Sequence, residues 1–167
     1  YVSNFVNKGL CIFDVSNPAS IVTKGNTGVG LSGAIGVYVS GKYAYVASSN
    51  NNSLCIFDIS NPTSIVTRGT TTANLNNSSN VYVSGKYAYV TSNSNSRLCV
   101  FDVSNPDSVV AKAFTTTNLS NPFGVYVSGK YAYVTDQTNN NLSIFELNST
   151  DTPTFNTGAA TISNLQV

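Results

Sequence analysis

Val81-Tyr82-Val83-Ser84-Gly85-Lys86-Tyr87-Ala88-Tyr89-Val90 recurs as Val37 to Val46 and again as Val125 to Val134. The turn glycines of the three copies, Gly41, Gly85 and Gly129, lie 44 residues apart along a chain of 167. The chain is therefore an array of repeats, and its fold follows from the repeat unit. Within one copy, Val37 and Val39 alternate with Tyr38 and Ser40, the period-2 pattern of a strand. Ser40-Gly41 supplies a turn, since glycine reaches positive φ without a Cβ clash. Tyr43, Tyr45 and Val46 continue as a second strand rich in aromatic and β-branched residues.

Outward from this hairpin, Leu54-Cys55-Ile56-Phe57-Asp58-Ile59 reads as a third strand, apolar on both faces. Ser60-Asn61-Pro62 ends it, because proline cannot donate to a ladder and the residue before it is held extended. A weaker fourth strand runs from Ile65 through Val66 and Thr67 towards Thr72. Strands apolar on both faces need cover on both faces, and four-stranded units of this period obtain it by stacking around an axis. The expected fold is all-β: a β-propeller of four-stranded antiparallel blades, about four in this chain. A single sandwich would show clean in/out alternation, which Leu54 to Ile59 lacks. No stretch carries the capped 3.6-residue apolar period of a helical solenoid.

Leu98-Cys99-Val100-Phe101-Asp102-Val103-Ser104-Asn105-Pro106, after Tyr87-Ala88-Tyr89-Val90, resembles the LVIVD repeat. Tyr89-Val90-Thr91-Ser92 is also similar to the YVTN repeat of surface-layer-type propellers, with Ser where that motif has Asn. The resemblance spans nearly the whole chain. It implies a propeller, and a secreted or surface location, without implying one shared activity.

Taken in order, residues 1–167 read as one propeller domain or propeller fragment with units 1–44, 45–88, 89–132 and a partial 133–167. Tyr1-Val2 aligns with Tyr45-Val46, so the first unit lacks its first strand. The last unit decays, with Glu146 in place of Asp and Asn148-Ser149-Thr150 in place of Ser-Asn-Pro. Leu165-Gln166-Val167 could return as a first strand beside Tyr1-Val2 and close a four-bladed ring. The alternative, favoured because few blades strain the stacking, is a piece of a longer propeller or a ring shared between chains. No signal peptide is recognisable and the chain does not begin with Met, as expected of a mature or truncated piece.

Charged residues make up 9% of the chain against roughly a quarter in ordinary soluble domains, and Asn, Ser and Thr supply the polarity instead. This profile points to an extracellular, cell-surface or particle-surface protein. A net charge of +1 gives no electrostatic footprint for nucleic acid, and no apolar run reaches the ~20 residues of a membrane span. Histidine is absent, which removes the commonest general base and metal ligand. The expectation is accordingly no enzyme, no catalytic residues, no metal site and no cofactor.

Repeated polar positions read first as structure. Cys11, Cys55 and Cys99 share one repeat position, and equivalent points on stacked sheets lie ~10 Å apart, too far for a disulfide. Asp14, Asp58, Asp102 and Glu146 read as acceptors for turn amides ahead of Ser-Asn-Pro. Lys42, Lys86 and Lys130, and the second ring of Lys24, Arg68 and Lys112, read as solvated edge charges. Tyr38, Tyr82 and Tyr126 read as packing groups, with stacking on sugars as the functional alternative.

Recognition is expected where the repeats differ, on loops. One set is Ser3–Gly9, Ala47–Ser53, Thr91–Arg97 and Thr135–Asn141; the second is Asn26–Ile35, Thr70–Asn80 and Thr115–Phe123. The candidate partner-binding residues are Lys8, Asn51, Arg97, Asp136 and Asn140, with Lys8, Arg97 and Asp136 as unpaired charges. Sequons at Asn51, Asn76, Asn77, Asn118, Asn141 and Asn148 leave glycosylation open. The function expected is a non-catalytic surface scaffold or protein-interaction module that binds a protein partner or assembles with itself. A lectin-like binder of glycans is the alternative, and a propeller enzyme stands third.

Overall fold

A computed structural model describes residues 1–7, 9–148, 155 and 160–163; Lys8 and Leu165–Val167 lie outside the described residues. The first sheet holds β1 (Val2–Asn4), β2 (Gly9–Asp14) and β3 (Val22–Thr27). The second holds β4 (Ala34–Ser40), β5 (Tyr43–Ser48), β6 (Ser53–Asp58) and β7 (Val66–Thr71). The third holds β8 (Ser78–Ser84), β9 (Tyr87–Ser92), β10 (Arg97–Asp102) and β11 (Val110–Thr115). The fourth holds β12 (Pro122–Ser128), β13 (Tyr131–Asp136), β14 (Asn141–Glu146) and β15 (Ala160–Ser163). Each sheet is an antiparallel meander in chain order, and the first has three strands where the others have four. This is the β-propeller that the repeat predicts. Among the described residues the first sheet has no inner strand, in keeping with the alignment of Tyr1-Val2 with Tyr45-Val46.

The hydrogen-bonded unit is out of phase with a 44-residue count from Tyr1. A blade opens on its inner strand at Ala34, Ser78 or Pro122, so the units starting at 45, 89 and 133 each cut a hairpin in two. Leu54, Cys55, Ile56 and Phe57 are all fully buried, which explains why this strand is apolar on both faces. One face packs on the preceding sheet and the other on the following sheet.

Three seams follow from this stacking. Leu10 and Ile12 meet Val46, Cys55, Phe57 and Ile59 across the first. Tyr45, Ala47, Leu54 and Ile56 meet Val90, Cys99, Phe101 and Val103 across the second. Tyr89, Leu98 and Val100 meet Val134, Phe145 and Leu147 across the third.

Two register irregularities recur. In the outer strands Lys24, Arg68 and Lys112 are each skipped by the ladder, so the second basic ring consists of bulge residues. Next to the bulge, Gly69 lies so close to the following sheet that a Cβ would stand 2.2 Å from the Pro106 carbonyl oxygen. Gly25 stands in the same relation to Pro62. At the third equivalent position the chain has Ala113, and the sheet that follows carries Asn148-Ser149-Thr150 instead of Ser-Asn-Pro. In the inner strands the ladder slips at Ile35 and at Ser79, before Gly36 and Asn80. There the backbones of β4 and β8 come into contact: a Cβ on Gly36 would lie 2.7 Å from the Asn80 Cα.

Candidate functional site

Antiparallel order sends the second-to-third strand turns and the sheet-to-sheet links to the same rim. The two loop sets that the sequence separates are therefore one surface. Ser49 N–H donates to the Gly33 carbonyl at 2.8 Å and Asn50 N–H to that of Ser32 at 3.0 Å. The third and fourth sheets repeat the pattern, with Asn93 donating to Asn77 and Gln137 to Asn121, both at 3.0 Å.

In the second, third and fourth sheets one residue under the turn holds the link in place. Ser48 Oγ accepts from Ser32 N–H at 3.0 Å and donates to the Ser32 carbonyl at 2.8 Å. Ser92 Oγ does the same with Asn76, at 2.7 and 2.9 Å. The fourth sheet uses a carboxylate instead. Asp136 Oδ2 accepts from Ser120 and Asn121 N–H at 2.6 and 3.0 Å. Its Oδ1 accepts from Thr138 and Asn139 N–H at 3.1 and 2.8 Å. Asp136 is 3% exposed, so it is not the unpaired rim charge that the sequence suggests. Its charge is spent on four backbone donors, and it is a loop anchor.

The other predicted rim residues divide similarly. Asn51 Nδ2 donates to the Gly30 carbonyl at 2.8 Å, as Asn95 does to Asn74 at 2.9 Å and Asn139 to Asn118 at 3.4 Å, so this amide ties turn to link. Asn140 has φ 49°, matching Asn52 at 53° and Ser96 at 55°. Its place is the left-handed turn position, where asparagine is better tolerated than most residues. Arg97 is not unpaired either: its guanidinium lies 4.2 Å from the Phe114 ring centroid, and Nη1 reaches Asn74 Oδ1 at 3.4 Å. Lys8 lies outside the described residues. Asn51, Arg97, Asp136 and Asn140 thus share one rim, and each has a structural partner or position there.

Sequence reasoning missed the hydroxyl network where the inner strands converge. Ser79 Oγ and Thr91 Oγ1 lie 2.9 Å apart, and both donate to the Phe123 carbonyl, at 3.0 and 2.7 Å. No spacing signal marks it, because it depends on the bulge at Ser79. The cysteine position also has a role beyond filling space. Cys55, Cys99 and Ser143 each donate to a link carbonyl 25 residues earlier, at 3.6, 3.4 and 3.3 Å. Serine at position 143 keeps that donor, and the three thiols are free as expected. Burial pushes the Cys99 thiol up to about 12, which keeps it protonated and unreactive at neutral pH.

The opposite rim is closed by charge pairs. Ser16, Ser60 and Ser104 N–H each donate to Oδ1 of Asp14, Asp58 and Asp102 at 3.0 Å, the expected turn role. The lysines are more engaged than solvated edge charges: Lys24 pairs with Asp14, Lys42 with Asp58, Lys112 with Asp102 and Lys130 with Glu146, at 3.3, 3.5, 3.7 and 2.6 Å. A cavity of about 130 Å³ between the third and fourth sheets, beside Lys86, Tyr87 and Lys130, is smaller than usual small-molecule sites. Among the described residues no three His, Cys, Asp or Glu side chains converge as metal ligands. On the inner strands Tyr38, Tyr82 and Tyr126 form a row of rings that meet tilted and edge-on, with centroids 4.7 and 4.9 Å apart and interplanar angles of 53° and 65°.

The sequence profile of the LVIVD repeat matches residues 1–28, 33–72, 77–117 and 123–145. The chain belongs to the LVIVD-repeat family. Its matched segments follow the four sheets: the first spans β1 to β3, the second and third each run from an inner to an outer strand, and the last runs from β12 into β14. No curated protein sequence matches the chain. Among solved structures, it superposes with TM-score 0.79 on a Bacteroides uniformis protein provisionally named a 6-phosphogluconolactonase, at 17% identity over 95% of this chain and 52% of that one. A Lactobacillus plantarum protein gives 0.78 at 12% identity, over 91% and 49%. A functionally unknown protein from Desulfotomaculum acetoxidans gives 0.72 at 16% identity, over 94% and 55%. These likenesses show the fold. The LVIVD-repeat chain spans about half the length of each of these structures.

Proposed function

We propose that this LVIVD-repeat chain is a non-catalytic scaffold that displays one rigid polar rim to a protein partner outside the cytosol. The observation that carries the reading is the anchoring of that rim. In the second, third and fourth sheets the turn is tied to the neighbouring link through a buried Ser48, Ser92 or Asp136 and an amide at Asn51, Asn95 or Asn139. Loops fixed in this way lose little conformational entropy on binding, which is what a recognition surface gains from a rigid scaffold. The location is supported by the scarcity of charge and the wealth of Asn, Ser and Thr. Against catalysis stand the absence of histidine from the sequence and the tying of Asp14, Asp58 and Asp102 into turns and ion pairs.

Cross-linking to proteins of the native cell surface tests this. Charge reversal at Arg97 with Asn140→Lys is expected to abolish the cross-linked product, while Lys42→Glu on the opposite rim leaves it intact. The opposite pattern would overturn the proposal. Tyr126, 56% exposed at the end of the tyrosine row, supports a second, lectin-like reading, and a glycan array decides it: binding to a sugar that Tyr126→Ala removes would favour the lectin.

A further inference from the structure

Arg97 and Phe114 break the repeat together. At the place of Arg97 the second and fourth sheets carry Ser53 and Asn141, and at the place of Phe114 the first and second carry Asn26 and Thr70. The blade folds without either residue, yet both changes fall in the third sheet, where the guanidinium lies over the Phe114 ring at 4.2 Å from its centroid. Core packing does not call for the pair, since Phe114 is 46% exposed and Arg97 is half-buried. The guanidinium is also held from the side. Nη1 reaches Asn74 Oδ1 at 3.4 Å, and the Asn74 carbonyl is fixed in turn by Asn95 Nδ2 at 2.9 Å and Cys99 Sγ at 3.4 Å.

What the guanidinium lacks is a counter-charge. Lys24, Lys42, Arg68, Lys112 and Lys130 each meet a carboxylate at 2.6–3.7 Å, whereas Arg97 meets none among the described residues. Asp136, the acid of the same rim, spends both oxygens on backbone N–H groups. Arginine has five N–H donors and no acceptor. Here Nη1 makes one long contact, the Nε–H is buried without an acceptor, and no acceptor among the described residues engages Nη2. We propose that Arg97 anchors the partner-binding rim by taking a carboxylate from an acidic peptide segment. The carboxylate accepts from the guanidinium nitrogens that Asn74 leaves free, and these charge-assisted bonds are the strong ones. Phe114 holds the guanidinium beforehand, so little side-chain entropy is lost on binding. A peptide is favoured over an acidic sugar, because the guanidinium already covers the ring face on which a sugar bound to Arg97 would stack. The inference rests on the scaffold reading and names the chemistry of its partner.

NMR titration of the chain with a hexaglutamate peptide tests this, read on the side-chain N–H signals of its two arginines. The Arg97 signal should shift saturably, while Arg68, already paired with Asp107 at 2.7 Å, should not move. Hexaglutamine should shift neither. Arg97→Ser and Phe114→Thr install the residues that the second sheet carries at the same places, so both should keep the wild-type circular dichroism spectrum. Arg97→Ser should abolish the saturable amide shifts at Asn74 and Asn95. Phe114→Thr and Arg97→Lys should each weaken binding about tenfold, the effect of misplacing one charge-assisted hydrogen bond. An unmoved Arg97 signal, an equal shift with hexaglutamine, or unchanged binding in Arg97→Ser would each overturn the inference. So would binding of an oligogalacturonate in place of the peptide, which would make the ligand an acidic sugar. If the peptide fails while the cross-link still responds to the rim variants, this inference alone falls. If the peptide binds while the cross-link ignores those variants, the scaffold reading falls and the carboxylate site stands.

Discussion

Removing the Asp136 carboxylate tests whether this residue is a loop anchor. Each charge-assisted hydrogen bond to a backbone N–H contributes roughly 1.5–3 kcal/mol. Asp136 makes four such bonds, to Ser120, Asn121, Thr138 and Asn139. Simple addition overstates their sum, because these donors belong to rim loops that water reaches once the carboxylate is gone. Asp136→Ala should therefore cost about 3–4 kcal/mol, a large part of the ~5–15 kcal/mol that holds an ordinary domain together. Asp136→Ser installs the hydroxyl that serves at Ser48 and Ser92, which accepts one N–H and donates to one carbonyl. That variant should cost only about 1–2 kcal/mol. Urea unfolding with an unchanged m-value measures both. An alanine variant within about 0.5 kcal/mol of wild type would refute the anchor, since surface changes free of such features fall in that range.

Three further outcomes are expected. Phe101 is fully buried in the second seam, so Phe101→Ala should lower stability by roughly 3–5 kcal/mol in the same urea assay; a loss under about 1 kcal/mol would mean that the seam repacks freely. Gly69→Ala should cost about 1–3 kcal/mol because its Cβ meets the Pro106 carbonyl, whereas Ala113→Gly should change stability by less than about 1 kcal/mol; equal effects would remove the steric account. The Ser16 hydroxyl and N–H and the Lys24 ammonium hold the Asp14 carboxyl down from 3.8 to about 2. Asp58 and Asp102 are lowered in the same direction, first by Ser60 and Ser104. A lowered folded-state value means that the stabilisation is present above the ordinary carboxylate range and is lost as pH falls towards the folded value. Melting temperature should accordingly drop between about 3.8 and about 2, and the NMR-titrated Asp14 carboxyl should move upward in Ser16→Ala. An unmoved titration would show that Ser16 is not the cause.

The sequence by itself determined the propeller. Period-2 alternation in Val37–Ser40, a glycine turn every 44 residues and a doubly apolar strand such as Leu54–Ile59 permit few other ways to bury those faces. It also identified the turn role of Asp14, Asp58 and Asp102, because a polar residue repeated beside Ser-Asn-Pro answers a local backbone need. The site was less legible. Asp136 looked free because it breaks the repeat, yet its partners Ser120 and Asn121 lie 16 and 15 residues away and reach it only when link and turn share a rim. Arg97 looked unpaired for the same reason, its aromatic neighbour Phe114 coming from the next strand of its sheet. The Pro106 carbonyl from the following sheet presses on the position that glycine holds at 69, and no local pattern encodes that contact. Repetition exposes what every blade requires of its own backbone. Contacts between sheets are set by bulges, by antiparallel order and by stacking, and only the assembled structure decides them.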